Sequence, residues 1–152
     1  MNRNKAAKCS YNLARFVEAQ RPVYDDVRGE LRAGCKRTHW MWFVFPQIAG
    51  LGHSPIARHF SIATIDEAKA FLAHPQLGPR LAECTRLTLG VSGKSAERIF
   101  GTPDWMKFRS SMTLFAEAAS GASVFAEALE KYFNGEPDAA TLAILARLRN
   151  GS

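Results

Sequence analysis

Twelve consecutive residues in the first third of the chain decide its fold: Lys36-Arg37-Thr38-His39-Trp40-Met41-Trp42-Phe43-Val44-Phe45-Pro46-Gln47. This aromatic segment holds two of the three tryptophans and two of the ten phenylalanines of the chain. Aromatic side chains bury more area per residue than any others, so we expect the segment to lie at the centre of the core. Its polar ends should then emerge at the rim of that core, where a ligand site can form.

The sequence leaves the local structure of the aromatic segment open. Tryptophan, phenylalanine and valine favour a β-strand, yet neither face alternates with polar residues. A short, almost fully buried helix from about Thr38 to Phe45, stopped by Pro46, fits equally well.

The rest of the chain reads as amphipathic helices joined by short loops, with apolar residues recurring at steps of three and four. Four helix starts carry recognisable cap residues. They are Asn12, Ser54 before Pro55, the capping box Thr64-Ile65-Asp66-Glu67, and Thr102-Pro103-Asp104. We predict an all-α fold, a single compact orthogonal bundle of about seven or eight helices around the central aromatic helix. Residues 1–10 are predicted to form a disordered basic tail and residues 11–150 a single domain.

Charge and composition restrict the class of protein. The net charge of +6 and the isoelectric point near 9.5 favour anionic partners such as nucleic acid, a nucleotide or a phosphorylated metabolite. The basic residues are scattered, however, so a nucleic acid is the less favoured partner.

The three cysteines are far apart, which indicates free thiols in a reducing compartment. With no signal peptide and no apolar run of membrane-spanning length, we expect a cytoplasmic protein without a membrane partner. The sequence gives no indication of the oligomeric state.

Three motifs that suggest chemistry are better explained structurally. Gly90 to Ser95 resembles a phosphate-binding P-loop, but Thr88 stands where that motif needs a glycine, and a helix precedes it rather than a strand. The four histidines and Cys35 lack the spacing of a zinc site, so no metal and no cofactor are predicted. Lys107 with Ser110 and Ser111 is a weak nucleophile pair, because serines in helices usually bond a carbonyl of the preceding turn.

The chain resembles a bacterial family known as domain of unknown function 1810, some members of which carry an unfounded "calpastatin" label. The resemblance covers roughly residues 12 to 135 and rests on several motifs. They are Arg15-Phe16-Val17-Glu18-Ala19-Gln20, Glu30-Leu31-Arg32, His39 through Gln47, Gly50-Leu51-Gly52, His74-Pro75, Ile99-Phe100-Gly101 and Ser110-Ser111-Met112-Thr113-Leu114-Phe115. It implies a mainly α-helical cytosolic protein and no established activity. The polar positions of the family pattern that match include Gln20, Lys36, His39, Gln47, Ser54, His74, Asp104 and Lys107.

These observations predict a pocket for a small anionic ligand, nucleotide-like or phosphorylated, beside the aromatic helix. Trp40 or Trp42 would supply a stacking face, and Gln47 would read ring edges. Three side chains would face the anion: Lys36, His39 and Lys107. Ser54 and His74 complete the candidate set, and His39 or His74 is the expected acid or base if a reaction occurs. The alternative is a protein- or nucleic-acid-interaction module with no small-molecule chemistry.

Overall fold

A computed structural model of the chain describes residues 11–151, so the predicted tail lies outside the described residues. Within that range the chain folds into ten helices, and the all-α prediction is confirmed. Within residues 11–151 the only β-bridge is a single parallel one between Ile48 and Ile62. The helices are α1 (Ala14–Gln20), α2 (Tyr24–Ala33), α3 (Met41–Val44), α4 (Pro55–His59), α5 (Ile65–Ala73), α6 (Leu77–Leu89), α7 (Ala96–Phe100), α8 (Asp104–Ala119), α9 (Val124–Phe133) and α10 (Ala139–Gly151).

Two of the predicted helix starts have the predicted caps. The Ser54 hydroxyl accepts the N–H of Ala57, and the Thr64 hydroxyl accepts the N–H of Glu67. The carboxylate of Glu67 reaches back to the N–H of Ala63, one residue further than in a standard capping box. Local hydrogen bonding therefore determines where α4 and α5 begin.

The other two predicted caps are wrong. Asn12 has a positive φ of 52° and does not cap α1, whose N-terminal neighbour Leu13 has no side chain able to do so. Helix α8 begins directly at Asp104, after a cis peptide bond between Thr102 and Pro103, and without a side-chain cap.

The aromatic segment is helical for a single turn only, over Met41–Val44 in α3. It is nevertheless buried, with Trp40, Met41, Phe43, Val44 and Phe45 all in the core. The Phe45 ring lies edge-on to Phe100 and Phe108, with centroids 5.9 and 5.1 Å away. Packing among aromatic rings therefore fixes the segment against α7 and α8.

Helix α8 is the element against which most of the others pack. It is the longest helix described, with 16 residues, and it contacts α3, α5, α7, α9 and α10. Its first turn carries Asp104 and Lys107, so the start of α8 lies beside the aromatic segment. None of the helices within residues 11–151 combines the length and the apolar character needed to cross a bilayer.

Candidate functional site

A carboxylate in α2 organises the loop that precedes α3. Glu30 Oε1 accepts the backbone N–H groups of Arg37 at 2.7 Å and Thr38 at 3.0 Å, and the indole N–H of Trp40 at 3.0 Å. Its Oε2 accepts the Thr38 hydroxyl at 2.6 Å. Partial burial alone would raise the pKa of Glu30, but these hydrogen bonds to the charged form lower it to about 2. The loop and the Trp40 ring are therefore held by a carboxylate that stays ionised.

The same loop is anchored to α7 on its other side. The Lys36 N–H donates to the carbonyl of Ile99 at 2.8 Å, and Lys94 Nζ donates to the carbonyl of Gly34 at 3.0 Å. Gly34 ends α2 with a φ of 70°, and a Cβ there would lie 2.8 Å from a methyl carbon of Val91. Only glycine fits both the conformation and the space, so Gly34 sets where Lys36 leaves the helix.

Two lysines share one carboxylate at the start of α8. Lys36 Nζ lies 2.9 Å from Asp104 Oδ2, and Lys107 Nζ lies 3.4 Å from Asp104 Oδ1. Lys36 also donates to the carbonyl of Thr38 at 2.6 Å, and its side chain is only 7% exposed. The Lys107 side chain is 23% exposed and makes the longer ion pair. Lys36 is therefore committed to the fold, whereas Lys107 remains available to a partner in solvent.

Each of these lysines also lies near a tryptophan ring. Lys36 Nζ is 5.1 Å from the ring centroid of Trp40, and Lys107 Nζ is 4.8 Å from that of Trp42. Both distances are within the range of cation–π attraction. Trp40 is 1% exposed, while Trp42 is half-buried. Trp42 and Lys107 thus form the accessible part of the site, and Trp40 forms its interior.

The structure brings four of the predicted site residues together. Lys36, Trp40, Trp42 and Lys107 meet around Asp104 through the ion pairs and ring contacts above. His39 lies in the same loop and is exposed.

The remaining predicted site residues have other contacts. Gln47 is half-buried, and its carbonyl accepts the N–H of Ile62. Ser54 caps α4. His74 Nδ1 accepts the N–H groups of Gln76 at 3.1 Å and Leu77 at 3.2 Å, so this ring closes the start of α6. His74 also borders an apolar groove of about 500 Å³ between the start of α1 and the end of α5. None of these contacts joins Ser54 or His74 to the Trp42–Lys107 pair.

Glu30 is the site residue that sequence reasoning missed. Glu30 binds the backbone of the loop that follows the end of its own helix, seven and eight residues further along the chain. No spacing rule for helices or turns predicts a contact over that distance. Asp104 was indicated only by the resemblance to a family. Both acidic residues act by holding basic or N–H groups in place.

A second polar cluster, between α2 and α6, offers no nucleophile. The Tyr24 hydroxyl donates to Glu83 at 2.6 Å, and its ring lies 4.9 Å from the Arg80 guanidinium. Burial raises the pKa of the Cys84 thiol to about 12 and also raises the pKa of Tyr24. Cys84 is therefore a protonated core residue at neutral pH.

Potential metal ligands do not cluster in the part of the chain that the structure describes. No group of three or more His, Cys, Asp or Glu residues is placed there to hold a metal ion. The arrangement at Trp42 and Lys107 offers instead an ammonium group and an aromatic face.

Comparison with known proteins places the chain in a family. Residues 10–145 match the family described as "Protein of unknown function (DUF1810)". The chain is also similar to the conserved hypothetical protein Rv1873 from Mycobacterium tuberculosis, whose crystal structure was solved at 1.38 Å. The identity is 55% over 90% of this chain and 98% of that one, with a TM-score of 0.89. No curated protein matches significantly. The chain belongs to the DUF1810 family of proteins of unknown function.

Proposed function

We propose that the protein binds a small anionic ligand, nucleotide-like or otherwise phosphorylated, at Trp42 and Lys107. The observation that carries the proposal is the Lys107 ammonium 4.8 Å from the centroid of a half-buried tryptophan ring. A cation beside an accessible aromatic ring matches a ligand that combines a phosphate with a planar group.

The charges around the site support an anionic ligand. Lys36 and Lys107 together face one carboxylate, that of Asp104, which leaves one positive charge in excess. The excess charge belongs to Lys107, because Lys36 is buried and its ammonium already contacts Asp104 and the Thr38 carbonyl. An incoming phosphate would compete with Asp104 for Lys107 alone.

The ring of Trp42 would add a stacking contribution to binding. Stacking of a base on an aromatic side chain is worth about 1–3 kcal/mol when measured by alanine substitution. The hydrogen bonds that Glu30 makes hold the preceding loop in one conformation, so little ordering cost remains to be met on binding. His39 is exposed in that loop, three residues before Trp42 in sequence.

A thermal-shift titration tests the proposal with ADP, AMP and inorganic phosphate as probes. We expect ADP to raise the melting temperature of the wild-type protein, because a ligand that binds only the folded state stabilises it by mass action. Lys107→Ala should abolish most of the shift. Lys69→Ala is the matched control, since Lys69 is an exposed lysine on α5, and it should keep the full shift.

Two results would contradict the proposal. One is a melting temperature that none of the three probes changes. The other is a shift that survives in both Lys107→Ala and Trp42→Leu, which would place the ligand elsewhere on the molecule.

A further inference from the structure

The positive charge of the described residues is concentrated in one place. Three of the 20 basic residues of the chain precede residue 11, and all 14 acidic residues follow it, so residues 11–151 carry 17 basic and 14 acidic residues. Segments 30–39 and 94–107 together contain six basic and three acidic residues. The other described residues therefore carry eleven of each sign, and the whole excess of three positive charges lies in these two segments.

The fold joins the two segments into one surface, which we call the basic surface. The Lys36 backbone N–H donates to the Ile99 carbonyl, and the side-chain Nζ of Lys94 donates to the carbonyl of Gly34. The Lys36–Asp104 ion pair connects their side chains. The two segments, far apart in sequence, thus lie side by side, with Trp42 next to them through its contact with Lys107.

Two of the three acidic residues of the basic surface already have partners within the fold. Glu30 is surrounded by hydrogen-bond donors, and Asp104 lies between two lysines, which leaves Glu97 as the exposed acid. In contrast, all three arginines of the basic surface are exposed and make no ion pair or side-chain hydrogen bond within residues 11–151: Arg32, Arg37 and Arg98.

The geometry points to a single-stranded nucleic acid as the ligand of this surface, with a base stacked on Trp42 and neighbouring phosphates on Arg37 and Arg98. These two arginines flank the Lys36–Ile99 backbone hydrogen bond, one on each segment. The inference rests on the proposed function, because the Trp42–Lys107 pair supplies the nucleotide position, and it names the class of ligand that this position takes.

A single strand fits better than other polyanions because of the tryptophan. Arginines alone bind the phosphates of a duplex or the carboxylates of an acidic peptide equally well. The partly exposed indole of Trp42 adds a stacking platform, which an unpaired base can use, whereas bases in a duplex are already stacked. The combination of a basic track with an aromatic ring is the arrangement by which proteins bind single strands without sequence preference.

Fluorescence anisotropy with a labelled single-stranded oligothymidylate of about 12 nucleotides tests the inference on the full-length protein. The affinity is measured over a salt series from about 50 to about 200 mM, because each phosphate contact contributes about 0.7 to the slope of log affinity against log salt. Arg37→Ala/Arg98→Ala should weaken binding at low salt about tenfold and reduce the slope by about 1.4. Trp42→Leu should weaken binding about tenfold and leave the slope unchanged.

Two control variants remove the same amount of charge elsewhere. Arg21→Ala/Arg58→Ala removes two exposed arginines outside the basic surface. Lys5→Ala/Lys8→Ala removes two lysines that precede residue 11. Both controls should bind within about twofold of the wild type, whereas an equal loss in either control would overturn the inference.

The remaining outcomes separate this inference from the proposed function. If ADP binds in a Lys107-dependent manner but the oligonucleotide binds no more tightly than ADP, the inference fails and the proposed function stands. Failure of both probes to bind contradicts both. Tighter binding of a duplex of the same length, or equal competition by polyglutamate, overturns the single-strand inference.

Discussion

Replacing Glu30 by glutamine is expected to destabilise the fold and to release the loop that carries the site. The four hydrogen bonds that Glu30 accepts lower its pKa from an ordinary value of 4.5 to about 2. That difference corresponds to roughly 3 kcal/mol between the two protonation states. The carboxylate is partly exposed, so we reduce this to about 1–2 kcal/mol of unfolding free energy at neutral pH. A glutamine retains one acceptor oxygen and turns an N–H₂ group towards donors that it cannot satisfy.

The effect should depend on pH in a defined direction. The pKa of Glu30 is lower in the folded protein than in the unfolded chain, so its contribution is complete above the unfolded value of 4.5. It is lost as the pH falls from 4.5 towards 2, when the carboxyl takes up a proton. The stability difference between wild type and Glu30→Gln should therefore be constant from about pH 7 to about pH 5 and shrink by about half by about pH 3.

Urea denaturation at several pH values, followed by tryptophan fluorescence, measures this difference. The matched control is Glu117→Gln, which removes an exposed carboxylate from α8 and should change the unfolding free energy by less than about 0.5 kcal/mol. A stability difference for Glu30→Gln that is absent at neutral pH, or that stays the same at acid pH, would refute the argument that this carboxylate holds the loop.

Four further substitutions test other parts of the account. Gly78→Ala should lower the unfolding free energy in urea denaturation by more than about 2 kcal/mol, because its Cβ would lie 2.1 Å from a backbone carbonyl oxygen of α5. Gly29→Ala, whose Cβ would have no atom within 4 Å, should instead stabilise α2 by about 0.5–1 kcal/mol. Equal effects of the two substitutions would contradict the close approach of α5 and α6. Asp104→Asn should lower the stability of the fold but raise the affinity for ADP about threefold or more, because it frees Lys107 from a competing carboxylate. Calorimetric titration measures this affinity, and weaker binding of ADP would contradict the prediction. Ser111→Ala should leave the unfolding free energy unchanged or raise it by up to about 1–2 kcal/mol, because the buried Ser111 hydroxyl has no hydrogen-bond partner within residues 11–151. A clear loss of thermal stability would contradict this.

Local signals in the sequence were sufficient for much of the helical structure. Ser54 and Thr64 cap α4 and α5 as predicted, because each cap joins a side chain to a backbone group three residues later. The burial of the aromatic segment follows from its composition. The caps at Asn12 and Thr102 were wrong because the backbone before each helix takes a conformation that sequence preference does not reveal.

The site depends on contacts between residues that are distant in sequence, and these limited the prediction. The helix expected from Thr38 begins only at Met41, because Glu30 holds Arg37 and Thr38 in a loop. The pairing of Lys36 with Asp104 likewise joins the end of α2 to the start of α8. No periodicity or cap rule in a single sequence connects such positions.

The difference between the two tryptophans of the aromatic segment also required the structure. They are two residues apart and equally apolar, so the sequence offered either as a stacking face. Trp40 is closed in by its bond to Glu30, whereas Trp42 reaches the surface beside Lys107. The choice of Trp42 for the proposed site follows from this difference in exposure.

The most direct test of the proposed site is a titration with ADP followed by the indole N–H resonances in a ¹⁵N–¹H spectrum. The chain has three tryptophans, so each reports on a separate environment. Trp40 Nε1 is bound to Glu30, and Trp105 is stacked on Phe133. We predict that the Trp42 resonance, assigned with Trp42→Phe, moves the furthest of the three and saturates. A Trp42 resonance that does not move, or a shift confined to Trp105, would contradict the account.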